Sequence, residues 1–248
     1  MPGKGAVRLN LIEWWNQFAQ WFSTQIQINF IEKDRYMYLV EGLLTTLQIT
    51  FFATILGVVL GTLLALAKVS AQSSRKLRPL GWIANLYTTV VRGTPMVVQL
   101  FIMYYIIIVA KEVPKTWVAI IAFGLNSAAY VAEIVRGGIL SVDKGQMEAG
   151  RSLGLSSRTT MLKIIFPQAL KNILPALGNE FITLLKETSV AGFIGVVDLS
   201  KAGDIIRSQT YAPYIPLFTV ALVYLIMVIG LTALLTKLER RLRKSDIR

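Results

Sequence analysis

The chain has 248 residues, 54% of them hydrophobic, with a formal net charge of +12. A soluble domain of this length mixes polar and apolar residues more evenly, so long apolar stretches rather than one water-soluble core set the class. Cysteine and histidine are both absent, which excludes disulfides, thiolate nucleophiles, Ser-His-Asp triads and Cys- or His-ligated metal.

The acids do not cluster for a carboxylate metal site, so no metal is expected. The basic residues gather beside the apolar segments, as in cytoplasmic loops, and this argues against nucleic acid as a partner. At the start, "LIEWWNQFAQWFSTQIQINF" is broken by Glu13, Asn16 and several glutamines. It reads as an amphipathic, tryptophan-rich helix at a membrane interface rather than a signal peptide. Residues 1–38 are therefore an extracytoplasmic or interfacial extension, 39–238 a transmembrane domain, and 239–248 a basic cytoplasmic tail.

A bilayer core needs about 20 apolar residues of helix. Five spans are expected: Leu39 to Val69, longer than one crossing; Trp82 to Ala110, interrupted by "RGTP"; Trp117 to Val135; Leu174 to Val197; and Pro216 to Thr236. The predicted fold class is all-α, a polytopic helical membrane protein. Gly57 and Gly61 form a GxxxG that lets two backbones approach. Segments 68–80, 136–171 and 237–248 hold sixteen lysines and arginines, against eight in 1–38, 110–116 and 198–215. That asymmetry places the N-terminus outside and the C-terminus inside.

Between the third and fourth spans lies "GQMEAGRSLGLSSRTTMLKIIFPQAL". Ser141 or Asp143 is placed to cap a short helix and Gly154 to end it. Two or three turns are marginal in water unless another surface supports them. Met147, Gly150 or Arg151, and Leu153 make one partly apolar face. Ala149 and Gly150 leave a shallow patch, and Glu148 and Arg151 are able to pair with each other or with a partner. Ser156 or Ser157 caps the next helix, which Pro167 interrupts or kinks. An ordinary solvated helix would satisfy the same physics.

Polar residues inside spans are expensive and need a partner or a role. Asn126, Tyr130, Glu133 and Gly137 form one stripe on the third span. Asn179, Thr183 and Lys186 form another on the fourth, with Glu187, Thr188 and Ser189 following; Arg92, Thr94 and Gln99 belong to the second. Such groups either line a solute path or satisfy one another between helices, as Glu133 with Arg136 would. Asn126 and Ser127 are the stronger path candidates. Arg92-Gly93-Thr94-Pro95 breaks its helix, tolerable only where the freed backbone is buried or faces a cavity; it is a gate hinge or a packing kink.

Glu148-Ala149, Gly154 and the later Ile165-Phe166-Pro167 resemble the EAA loop of permease subunits of type I ABC importers for polar amino acids. "LVEGLLTTLQIT", "VRGTPMVVQLFIMYY", "LNSAAYVAEIVRGGILSVDKGQMEAGRSLG" and "LPALGNEFITLLKETSVAGFIGVVDL" extend the resemblance over roughly 39–240. Gly150 departs from the pattern, which has alanine there. The resemblance implies that Gln146, Met147, Glu148, Ala149, Gly150, Arg151, Leu153 and Gly154 form a coupling helix seated in a cytoplasmic ATPase. It also implies a second permease subunit, an extracytoplasmic binding protein that delivers a polar amino acid to loops including Asp198 to Ile215, and a bacterial plasma-membrane location. No GxxxxGK[ST] phosphate loop occurs, so this chain is not expected to be an enzyme or hold a cofactor; ATP and magnesium belong to the partner. The competing reading is an ion-coupled transporter or channel using Glu133 or Lys186.

Overall fold

In this computed structural model residues 4–109 and 112–243 are described. Ala110, Lys111 and the end of the basic tail, 244–248, lie outside the described residues, so their part in the charge asymmetry rests on sequence alone. Helix α1 (Lys4–Ile26) is followed by a wide turn at Gln27–Ile31 and a short 3₁₀ turn at Glu32–Asp34. Lys33 and Asp34 there adopt φ of 55° and 51°, a left-handed excursion that redirects the chain.

Helix α2 (Tyr36–Ser73) then runs for 38 residues, about 57 Å at 1.5 Å per residue. That is nearly twice a hydrocarbon core of about 30 Å, so α2 projects beyond it. Its length corrects one reading of the charges. Lys68 is not a loop residue but sits inside α2, 5% exposed.

Helix α3 (Arg78–Arg92) and helix α4 (Met96–Ile102, continued by a wide turn to Ile107) are bent by 108° at the RGTP break. Helix α5 (Lys115–Leu140) leads to α6 (Lys144–Ser152) and α7 (Ser157–Thr160). A wide turn at Met161–Ile165 joins α7 to α8 (Phe166–Glu187), and a 3₁₀ run, Thr188–Ile194, follows. The chain closes with α9 (Leu199–Thr210) and α10 (Tyr214–Arg243).

Three of these, α2, α5 and α10, are individually long and apolar enough to cross a membrane, and α3–α4 qualifies together as a broken span or re-entrant loop. The expected fourth span differs most. Its helix begins eight residues earlier than Leu174 and stops at Glu187, and its polar face keeps it out of the purely apolar class. The outer segment expected as loop, Asp198 to Ile215, instead contains α9.

Helix α5 is the centre. Its most apolar window is 72% buried, against 6% for that of α10, so α5 is core and α10 is peripheral, packed by one face on α8 and α9. One cluster around α5 joins Phe123 and Val118 to Ile49, Leu100 and Leu184; a second joins Val131, Val135 and Ile139 to Ile165 and Ile173. The GxxxG acts as its spacing suggests. A Cβ on Gly57 would stand 2.9 Å from Ser127 Cβ, and one on Gly61 2.6 Å from Val131 Cβ. Only glycine lets α2 and α5 come this close.

Candidate functional site

The short helix α6 is built by its own ends. The Asp143 carboxylate accepts from the Gly145 amide at 2.6 Å, deciding between the two candidate caps. At the other end Gly154 takes φ of 81°. The Gly154 amide donates to Arg151 O at 3.0 Å and the Leu155 amide to Gly150 O at 3.1 Å. This is the paired pattern that terminates a helix on a left-handed glycine. Ser156 caps α7, accepting from the Thr159 amide at 3.1 Å.

Which face is free differs from the sequence reading. Met147 turns inward against the cluster of Val135, Ile139 and Ile165. Gly150 is buried, and a Cβ there would lie 2.5 Å from Thr160 Cγ2. Gly150 is thus a packing residue that seats α6 on α7, not part of an open patch. The free surface is Gln146, Ala149 and Leu153, flanked by Glu148 and Arg151, all exposed. Leu153 is 80% exposed. Arg151 donates to the Leu155 carbonyl at 3.1 Å, which strengthens the end of the helix.

At the RGTP break, Pro95 has no N–H to offer the Val91 carbonyl one turn back. Gln99 supplies that donor: its Nε2 lies 2.7 Å from Val91 O and 2.8 Å from Thr94 Oγ1. Asn126 in turn donates to Gln99 Oε1 at 3.0 Å. The Arg92 guanidinium lies 5.4 Å from the centre of the Tyr130 ring, within cation–π range. Gly93 ends α3. Gln99 and Asn126 therefore brace the break from α4 and α5, and Tyr130 of α5 meets Arg92 beside it.

Glu133 belongs to a second such group. It accepts from Lys68 Nζ and pairs with Arg136 at 2.7 Å. Lys68 also donates to Thr88 Oγ1. A cavity of about 400 Å³ opens beside this triad, lined also by Arg78, Trp82 and Asn85. Ser127 is fully buried and donates to Glu180 Oε1 at 2.8 Å. In the single chain, then, Asn126 and Ser127 are buried and bonded to neighbouring helices, whereas Glu133 is paired with Lys68 and also lines this cavity. Lys68, Thr88 and Glu180, which complete these pairs, were not singled out from sequence.

The α8 stripe has the opposite character. Asn179, Thr183 and Lys186 are exposed, while Ile182, Leu184 and Leu185 behind them are buried. Thr188 is buried and donates to Leu185 O at 2.8 Å. Ser189 lines a groove of about 220 Å³ with Phe193, Lys201 and Asp204. In α9, hydrogen bonds from Lys201 and Arg207 hold the Asp204 carboxyl below the usual aspartate range. Burial pushes the carboxyl of Asp198 up, although it caps α9 by accepting from the Ser200 and Lys201 amides.

The family model described as "binding-protein-dependent transport system inner membrane component" matches residues 57–244. The arginine transport system permease protein ArtQ of Bacillus subtilis (strain 168) is 41% identical over 211 residues, 84% of this chain and 94% of that one. The L-cystine transport system permease protein TcyB of the same organism is 35% identical over 224 residues, 88% of this chain and 92% of that one. Among solved structures, an amino acid ABC transporter crystallised with histidines superposes with a TM-score of 0.78 at 42% identity, covering 86% of this chain and 98% of that one.

Proposed function

The chain belongs to the family of binding-protein-dependent transport system inner membrane components, and from that premise we propose that it is the permease subunit of an ATP-driven ABC importer of polar amino acids. It is a membrane-spanning transport subunit and not itself an enzyme. The amino-acid class is supported by the arginine, cystine and amino-acid transporters to which it is similar.

The observation that carries the reading is α6: a helix capped at both ends, keyed to the fold on one face and bare on the other. Met147 seats it against the end of α5 and the turn before α8, and the Gly150–Thr160 contact seats it on α7. A push on Gln146, Ala149 and Leu153 is therefore delivered to the end of α5 through Met147, and toward α8 through α7 and the turn that follows it. The pusher in this reading is a cytoplasmic ATPase, which holds the nucleotide and magnesium because this chain has no phosphate loop.

A second permease subunit completes the path, with the exposed Asn179, Thr183 and Lys186 of α8 turned toward it or toward solute. An extracytoplasmic binding protein docks on the side of α9. Helix α8 is the fourth of five crossings, polar on one face because that face is not turned to lipid. Five crossings and the basic asymmetry then put the N-terminus outside and the C-terminus inside the bacterial plasma membrane. Closure of the ATPase and its reopening alternate the exposure of the path.

Uptake into proteoliposomes tests this. Accumulation of a polar amino acid should require the ATPase, the binding protein and hydrolysable nucleotide together. Gradient-driven accumulation by this chain alone would overturn the reading.

A further inference from the structure

An extension, helix α1 and the turns after it, precedes the first span. The relatives are covered over more than nine-tenths of their length by about five-sixths of this chain, so it carries residues beyond what they need. Along α1, Leu11, Trp14, Trp15, Phe18, Trp21 and Phe22 fall at three- and four-residue spacing on one face. Every one of them is exposed, from 42% to 62%. The rings contact one another along the helix, with Trp14 and Phe18 stacked at 5.7 Å. Glu13, Asn16, Gln17 and Gln20 occupy the opposite face.

The level of this helix relative to the bilayer follows from what it touches. Asn29, fully buried, accepts from Thr210 Oγ1 at 2.7 Å. Arg35 donates to Gln209 Oε1 at 3.3 Å and to the Ile28 carbonyl. These bonds pin the end of the extension to the last turn of α9. Trp21 and Gln25 then share a groove of about 340 Å³ with Tyr211 and Tyr214. Tyr214 opens the α10 span and Tyr36 the α2 span. Two apolar helices thus begin on the same side of the fold, and Trp21 lies beside the start of one of them. The polar face keeps α1 out of the hydrocarbon itself.

We propose that α1 is a lipid-binding helix, lying in the headgroup–acyl boundary of the leaflet at the Tyr36 and Tyr214 ends of the spans with its aromatic face down. Tryptophan and phenylalanine on one face with amides on the other suit that layer. Helix α1 holds Lys4 and Arg8 at its start, and from residue 9 to residue 31 the single charge is Glu13, so the aromatic stretch itself is held by apolar attraction. Because Asn29 and Arg35 bind α9, the helix also tethers the outer end of α9 to the membrane surface.

The absence of cysteine makes single spin labels direct to place. Full-length Phe18→Cys and Gln20→Cys chains are labelled in phosphatidylcholine nanodiscs, and collision with oxygen and with a water-soluble nickel chelate is measured. The label at position 18 should collide at least severalfold more with oxygen relative to nickel than the label at position 20. The pair Phe22→Cys and Asn16→Cys repeats the comparison without touching Phe18. Equal nickel access at both positions, meaning a helix free in water, overturns the proposal. Low collision with both reagents at position 18, meaning a face covered by protein, overturns it too.

Discussion

Helices α5 and α8 carry polar residues at the same three- and four-residue spacing, yet their environments are opposite. On α5 the groups are turned into the protein: Asn126 bonds Gln99, Tyr130 meets Arg92, and Glu133 holds Lys68 and Arg136. On α8 Asn179, Thr183 and Lys186 face outward from the single chain. A polar group inside the fold is priced by its partner, whereas an outward polar group on a helix packed against a central span points to whatever completes the assembly. The first stripe is bonded within the chain, at the RGTP break and at the Lys68 pair, whereas the second is left exposed on it.

The sharpest break to this contrast is Glu133→Gln. Lys68, with its side chain 4% exposed, would keep its charge and lose its carboxylate. Removing one partner of a buried pair costs about 3–5 kcal/mol, which thermal unfolding of the purified, detergent-solubilised chain should register. Adding Lys68→Met should recover much of the loss. An unchanged melting temperature in the single variant would mean that the pair is not what secures α2 to α5.

A smaller effect sharpens the same comparison. Asn126→Ala removes one hydrogen bond at the break and should cost about 1 kcal/mol. Asn179→Ala and Thr183→Ala, on the outward stripe, should stay within about 0.5 kcal/mol of the parent while lowering amino-acid uptake. If they melt like Asn126→Ala and transport normally, the two stripes do not differ as described.

What could be read from the residues follows how local the cause is. The cap at Asp143, the stop at Gly154, the break at Arg92–Pro95 and the close approach at Gly57 and Gly61 depend on neighbours in sequence or on size alone, and all four are realised. The burial of Lys68 was hidden because its charge reads as a loop residue unless α2 is known to reach Ser73. The role of Gly150 was misread because its constraint is Thr160, ten residues on, which closes only when α7 folds back. Helix α9 had a visible signal: Asp198 as a cap before Leu199, Ala202, Gly203 and Ile206, a buried stripe at helical spacing. Glu180 lies one position from the outward stripe and so points elsewhere, a distinction that needs the register of α8 against α5.

The central claim is that α6 passes force through its bare face. Leu153→Asp and Glu148→Lys alter that face while leaving Met147, Gly150 and both caps intact. Capture of the ATPase by the membrane-embedded chain measures it directly. Loss of a hot-spot residue at an interface costs ~2 kcal/mol or more, so association should fall by roughly thirtyfold and uptake with it, while the melting temperature holds. Full association and undiminished uptake in both variants would contradict the account.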